Sequence, residues 1–418
     1  MKILLSCVGD TDPIRFSHDG AILHIARYER PDKILLVHSE RTVQKHDYIC
    51  KAIESIAADY QPDIESYKEV IPNEDVYKFD VIFELIERLL ADVLTRDDEY
   101  ILNLSSGTPQ IKSALFTINR ISNFQFRAYQ VASPKRDSNR VDENKVEEQY
   151  SEDEAIEKNK DNCLDTENRL ELDSGINFMH SLVKKSLREL IGNYDYHAAL
   201  SVVQQHPNLP HQSKLEMELS SMVESFHFQK VPENLKVLDR KSKVQEAATA
   251  FFACTMMMVK YLRGDIAEAI IRAQSISEFL ARKYIQKEYP GLLIKKKQIY
   301  FIDQQYARKI PNYKIIIDRY EELTRNMNLN GPFGFHHYNS LLRAAGHEKL
   351  LEPILEIKKY RNKVAHDLHE VTLDISTVPA VMECITSLFY LVYFDDNESF
   401  SIMDYLQAFN KKLLKMLE

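Results

Sequence analysis

Residues 100–121 read YILNLSSGTPQIKSALFTINRI. The opening run YILNL (100–104) has the length and apolar density of a buried strand, while IKSALFTINRI (111–121) carries apolar residues at helical spacing. The segment between them is a turn with chemistry. Ser105, Ser106 and Thr108 are helix N-cap residue types, and Gly107 permits a close backbone approach. The free amides at the start of the following helix favour an anionic or hydrogen-bond-rich ligand. Strand, loop and helix in this order form a unit of an α/β fold.

The same alternation extends outward. KILLSCV (2–8), KILLVH (33–38) and FQFRAYQV (124–131) read as strands, and DIESYKEV (63–70) as a weaker fifth. DVYKFDVIFELIERLLADVL (75–94) is an amphipathic helix lying between two of them. Strands alternating with helices imply parallel pairing with helical crossovers, and near-continuous apolar runs imply that both faces are covered. The spacing predicts a Rossmann-like parallel sheet over residues 1–132. In such sheets, ligands bind beyond the carboxyl ends of the strands, where strand order reverses. Two loops belong to that edge: VGDTDP (8–13) and NLSSGTPQ (103–110). In the common doubly wound order they are neighbours, and together they suit a nucleotide-like ligand. Singly, each loop reads more simply as a helix cap or a turn, and it is their joint placement that points to a ligand. Neither G-x-G-x-x-G nor G-x-x-x-x-G-K-[ST] occurs, so no dinucleotide fingerprint or P-loop is present.

Residues 133–174 differ in kind, being polar and mostly acidic (VDENKVEEQYSEDEAIEKNKD), and are read as an insertion or linker with possible helical content. From 175 to 418 helical periodicity dominates, so this region is expected to be all-α. The chain of 418 residues, 44% hydrophobic, is long enough for two or three folded domains. A net charge of −9 argues against indiscriminate coating of nucleic acid, so any RNA site must be local. Cys7, Cys50, Cys163, Cys254 and Cys384 form no C-x-x-C pair, which fits a reducing cytoplasm. The N-terminus MKILLSCVGD lacks a signal-peptide core. AATAFFACTMMMV (247–259) falls short of the ~20 residues that span a bilayer, and reads as a buried helix.

RNKVAH (361–366) has the form R-x4-H, which RTVQKH (41–46) also has. Context separates them. Leu350, Ile354, Ile357, Val364, Leu368 and Val371 form a stripe with steps of four and three, and Arg361 falls inside it. A guanidinium in an apolar seam must pair or face a cleft. Asn362 and His366 share a helix face, but Arg361 and His366 lie about 140° apart around one helix. The long arginine side chain could reach round the helix, or two copies of the helix meeting across a two-fold axis could pool the residues, which would also explain a charged seam. Such a group suits RNA cleavage without metal: the 2′-OH attacks the adjacent phosphate, Arg stabilises the developing charge and His moves protons. An arginine at a seam edge with a solvated histidine is the bland alternative. Lys358, Lys359, Lys363, Arg343 and the run Lys295–Lys297 could attract phosphate or simply face solvent.

GDTDP after the first strand, LSSGTPQ after the fourth and RNKVAHD in the helical half together resemble the ancillary ribonucleases of type III CRISPR systems. Those proteins join a CRISPR-associated Rossmann-fold (CARF) sensor to a HEPN (higher eukaryote and prokaryote nucleotide-binding) effector. The resemblance covers nearly the whole chain. It implies a homodimer, activated by a cyclic oligoadenylate (hexa-adenylate being favoured), that cleaves single-stranded RNA without a metal cofactor. No membrane and no stable DNA complex is implied. Arg361, Asn362 and His366 would be catalytic, and Gly9, Asp10, Thr11, Asp12, Ser105, Ser106, Gly107, Thr108 and Gln110 would line the sensor pocket. Thr108 would contribute to any slow cleavage of the activator. Two other classes remain open from the residues alone. One is a non-catalytic ligand-sensing regulator. The other is a metal-dependent hydrolase using His336, His337, His347, His366 or His369.

Overall fold

The structure, a computed structural model, describes residues 1–95, 97–122, 124–134, 150–163, 165–226, 244–297, 299–325, 333–348, 350, 352–355, 377–393 and 402–418. Two compact units are present, Met1–Met179 and His180–Glu418.

The first unit is built on strands β1 (Lys2–Cys7), β4 (Lys33–Val37), β5 (Asp63–Ser66), β6 (Glu99–Asn103), β7 (Arg127–Val131) and β8 (Leu170–Leu172), with a small hairpin β2 (Ile14–Arg15) and β3 (His18–Asp19) after the first. The order across the large sheet is β5-β4-β1-β6-β7-β8, so the winding reverses between β1 and β6. The first five pair in parallel. Period-two geometry divides the apolar runs between two cores. Ile3, Leu5, Cys7, Leu35 and Val37 pack with Ile82, Leu85 and Leu89 of α3 (Phe79–Val93) and with Ile111 and Leu115 of α4 (Pro109–Ile121). Leu4, Ile34, Leu36 and Ile101 pack with Ile22, Leu23 and Ile25 of α1 (Ala21–Glu29) and with Ile49 and Ile53 of α2 (His46–Glu54). This is why β1, β4 and β6 are apolar on both faces.

The sheet is not parallel throughout, because β8 pairs antiparallel with β7. From residue 150 onward the acidic stretch belongs to this unit. Ser151 forms a capping box with Glu154 on helix α5 (Glu152–Glu157), and the chain then returns as the edge strand β8. Most of its polar residues are exposed, but Asn159, Asp161 and Arg169 are buried in partnership. Asp19 accepts from Arg27 Nε at 2.7 Å and from Asn159 Nδ2 at 2.7 Å, while Asp161 accepts from Arg169 at 2.9 Å and meets His18 Nδ1 at 3.0 Å. Arg169 also donates to the carbonyls of Ala132 and Asp19, and its amide donates to His24 Nε2 at 2.9 Å. Burial alone would raise the Asp19 carboxyl, but the His24 and Arg27 hydrogen bonds and the Arg27 charge outweigh it and hold it at about 2.

The last turn of α4 is tied to the residues that lead into helix α6 (Ile176–Gly192). Arg120 is ion-paired with Asp173, the two side chains being 6% and 10% exposed. The Arg120 guanidinium also lies over the Phe116 ring at 4.9 Å, and Phe116 meets Phe178 edge-on at 5.4 Å. A Cβ on Gly175, whose φ is +55°, would overlap the Arg120 guanidinium.

Among the described residues, the second unit is helical, with one exception. The expected buried helix is present: α9 (Val244–Leu262) buries Ala248, Phe251, Phe252, Cys254 and Met257 against α10 (Ile266–Glu288) and helices Thr377–Tyr393 and Ile402–Met416, after α7 (Tyr196–Gln205) and α8 (Gln212–Phe226). Asn410 joins two helices, donating to the Ile191 carbonyl at 2.9 Å and accepting from Tyr196 at 2.7 Å. The exception is the antiparallel pair β9 (Leu293–Lys296) and β10 (Ile299–Ile302), which all-α periodicity did not foretell. Here Lys295 and Lys296 of the KKK run lie over Tyr300 and Phe301, each 5.8 Å from the ring centroid. Among the described residues, no helix is long and apolar enough to cross a membrane. All five cysteines are free, and burial pushes the thiols of Cys7, Cys254 and Cys384 up to about 12, so none of these three is a thiolate at neutral pH.

Candidate functional site

The reversal between β1 and β6 makes their following loops neighbours, and the two touch through main chain. A Cβ built on Gly9 would lie 2.7 Å from the Gly107 amide nitrogen, so a side chain at Gly9 would hold the loops apart. Gly107 has φ +96°, a conformation costly for other residues, and a Cβ there would meet Ile111 Cγ2 at 2.8 Å. Several expected pocket residues hold this junction together. Asp12 is buried and accepts from the Gly9 amide at 2.9 Å and the Ile22 amide at 3.2 Å. Burial pushes its carboxyl above the ordinary range, against the pull of those amides, the Ser106 hydroxyl and Lys45. Ser106, also buried, takes a hydrogen bond from Asn103 Nδ2 at 2.8 Å, and the same amide group donates to Ser6 at 2.8 Å. Ser105 accepts from the Val131 amide at 2.7 Å, fastening the loop to β7. Thr108 caps α4 by accepting from the Ile111 amide at 3.3 Å, and its hydroxyl donates to the Val76 carbonyl at 2.7 Å.

The surfaces left for a ligand are the exposed Asp10 and the half-buried Thr11, Ser105, Gly107, Thr108 and Gln110. Two cations to which the sequence reading gave no part in the pocket stand against the same loop. Arg41 is ion-paired with Asp10 at 3.2 Å. Lys45 donates to the carbonyls of Gly9, Asp10 and Asp12 at 3.3, 2.8 and 2.9 Å. The only signal was position, since both follow β4, the strand beside β1. The arrangement offers small groups, hydroxyls and cations together at a sheet's carboxyl edge, which is suited to a phosphate-bearing ligand.

The second R-x4-H string is thereby placed in the first unit: Arg41 at Asp10, and His46 beside His38 (3.3 Å) and Ser66 (3.0 Å). Burial lowers His38 below the ordinary imidazole value. Arg361, Asn362 and His366 lie outside the described residues, as do Ile357, Val364, Leu368, Val371, Lys358, Lys359, Lys363 and His369. Of the seam expected around Arg361, Ile354 is fully buried and Leu350 packs on the same core. Of the histidines considered as metal ligands, His347 bonds the Tyr284 hydroxyl at 2.6 Å and His337 accepts from the Gly334 amide at 3.3 Å. Among the described residues, the carboxylates and imidazole that converge are Asp19, His24 and Asp161 in the first unit. Arg27 and Arg169 already neutralise those carboxylates, which makes the group a buried ion-pair network rather than a vacant cage.

Residues 63–170 match the family described as the Cas_Csm6 CARF domain, and residues 235–414 match the Cas_Csm6 HEPN domain. The CRISPR system endoribonuclease Csm6′ of Streptococcus thermophilus is 35% identical over 420 residues, with 100% of both chains covered. A second Streptococcus thermophilus protein, CRISPR system endoribonuclease Csm6, is 33% identical over 441 residues at the same coverage. The solved structure of Enterococcus italicus Csm6 bound to cyclic hexa-2′-fluoro-hexa-dAMP aligns with TM-score 0.76 and 26% identity, again over 100% of both chains.

Proposed function

Because the chain belongs to the Csm6 family of CRISPR endoribonucleases, with a CARF sensor and a HEPN nuclease domain, we propose that it is a homodimer that cleaves single-stranded RNA without metal when a cyclic oligoadenylate occupies its sensor. Hexa-adenylate is the proposed ring. The observation that carries this reading is the full-length likeness to a relative solved with a cyclic hexa-dAMP analogue. The contact of the Gly9 and Gly107 loops supports it, because it lays a floor of main chain at the carboxyl edge of the sheet where a nucleotide phosphate can approach closely.

The sensor residues divide by task. Asp10, Thr11, Ser105, Gly107, Thr108 and Gln110 meet the ring, while Gly9, Asp12 and Ser106 shape the floor beneath it. To cut its own activator, Thr108 must first give up the Val76 carbonyl. In the nuclease, Arg361 stabilises the phosphorane charge, His366 transfers protons and Asn362 orients the imidazole or the phosphate. The test is RNA cleavage with cyclic tri-, tetra- and hexa-adenylate, each with and without EDTA. Hexa-adenylate is expected to stimulate most strongly, at a rate unchanged by chelation. Loss of cleavage in EDTA with restoration by a transition metal would refute metal independence, and silence with every ring would refute activation.

The floor makes its own forecast. Gly9→Val must push the two main chains apart, and overpacking of this kind costs about 1–3 kcal/mol. Activator affinity measured by titration calorimetry is therefore expected to fall about ten- to hundredfold. Wild-type affinity in Gly9→Val would show that the loops need not touch.

A further inference from the structure

We propose that Lys45 is a positioning residue of the sensor: by spending its ammonium on three carbonyls of one loop, it turns the Asp10 and Thr11 amides outward as a main-chain subsite for an activator phosphate. The proposal rests on activation by a cyclic oligoadenylate. An ammonium has three N–H groups, and those of Lys45 reach the carbonyls of Gly9, Asp10 and Asp12 at 3.3, 2.8 and 2.9 Å. In a trans peptide the C=O and the following N–H point in opposite directions. Fixing the Gly9 and Asp10 carbonyls on one cation therefore aims the amides of Asp10 and Thr11 away from it. Successive amides presented in this way form a concave anion site.

The surroundings fit an anion. Asp12, buried beneath, accepts the Gly9 amide and keeps that carboxylate out of the subsite. Arg41 stands at the rim on Asp10, an exposed pair (71% and 58%) that an incoming phosphate can replace. Burial lowers the Lys45 ammonium from its ordinary value while Asp12 and Asp10 support its charge. Lys45 is thus too occupied to serve as a ligand itself, and its effect on the activator is exerted through the loop.

The experiment compares wild type, Lys45→Met and Lys45→Arg for the hexa-adenylate concentration giving half-maximal RNA cleavage and for the rate at saturation. Apo melting is followed alongside. Lys45→Met is expected to raise the half-maximal concentration about ten- to hundredfold, as befits lost hydrogen bonds to a charged group. The saturated rate should stay at the wild-type value, because the nuclease residues are untouched. Lys45→Arg keeps the charge but cannot aim three N–H groups at one loop in the same way, and is expected to lie between the two. Half-maximal concentrations equal to wild type in either variant overturn the proposal. So does a fall in saturated rate with the half-maximal concentration unmoved. Should Lys45→Met fail to fold, Lys45→Arg decides. If wild type responds to no ring, the activation reading fails and this inference falls with it, an outcome distinct from a variant that matches a responsive wild type.

Discussion

His366→Ala is expected to lower activated RNA cleavage by about 10²- to 10⁴-fold while leaving activator affinity and melting temperature at their wild-type values. The size follows from the proposed role of His366 in moving protons to and from the ribose and leaving oxygens, with the charge stabilisation proposed for Arg361 left intact. Pattern alone could not select this histidine, since His46 ends an identical R-x4-H string. The structure places His46 against His38 and Ser66 in the sensor unit, so His46→Ala serves as the matched control and should keep its saturated rate. The helical geometry makes a sharper forecast. If residues 361–366 form one helix, as their periodicity predicts, Arg361 and His366 diverge by about 140°, and in the proposed homodimer the working pair is shared between two chains. Arg361→Ala and His366→Ala protomers, each inactive alone, should recover roughly a quarter of wild-type activity on mixing, because half of randomly paired dimers are mixed and one of their two sites is whole. No recovery in confirmed mixed dimers would return the site to a single chain.

Arg169→Met should cost about 3–5 kcal/mol, the usual consequence of leaving a buried carboxylate without its partner. Arg169 is 6% exposed and Asp161 8%, and the same guanidinium holds the Ala132 and Asp19 carbonyls. One side chain therefore fastens the returning segment to α1, to the hairpin and to the end of β7. In the full chain the first unit's thermal transition should drop by roughly 10 °C, with faster amide exchange in β8. A shift of less than about 2 °C would mean that water or relaxation satisfies Asp161. The Arg30–Asp59 pair is the contrast. At 46% and 75% exposed it is expected to contribute almost nothing.

The sequence was readable where one principle dominated. β1, β4 and β6 announce themselves because both faces are covered, and the apolar helix at 247–259 lies where its composition places it. The meeting of the Gly9 and Gly107 loops followed from strand order alone. What stayed hidden depended on pairings remote in the chain. Asp161 and Arg169 look like solvated charges until Asp19, His18 and His24, more than a hundred residues away, are brought beside them. β8 is three residues long and borrows its register from β7, so it carries no periodicity of its own. Lys45 went unnoticed because its role lies in what its ammonium reaches, and local sequence does not encode that reach.

The buried grip of Arg120 on Asp173 makes α4 a lever. At one end, Thr108 caps the helix within the proposed sensor loop; at the other, Arg120 fills the space beside Gly175 that any larger residue would claim. A helix of 13 residues is about 20 Å long. Because close-packed interiors transmit displacement rather than absorb it, any tilt imposed at Thr108 would be felt at Asp173 some helical turns away. The play between the two ends of the helix would then be set by one guanidinium and the missing side chain of one glycine.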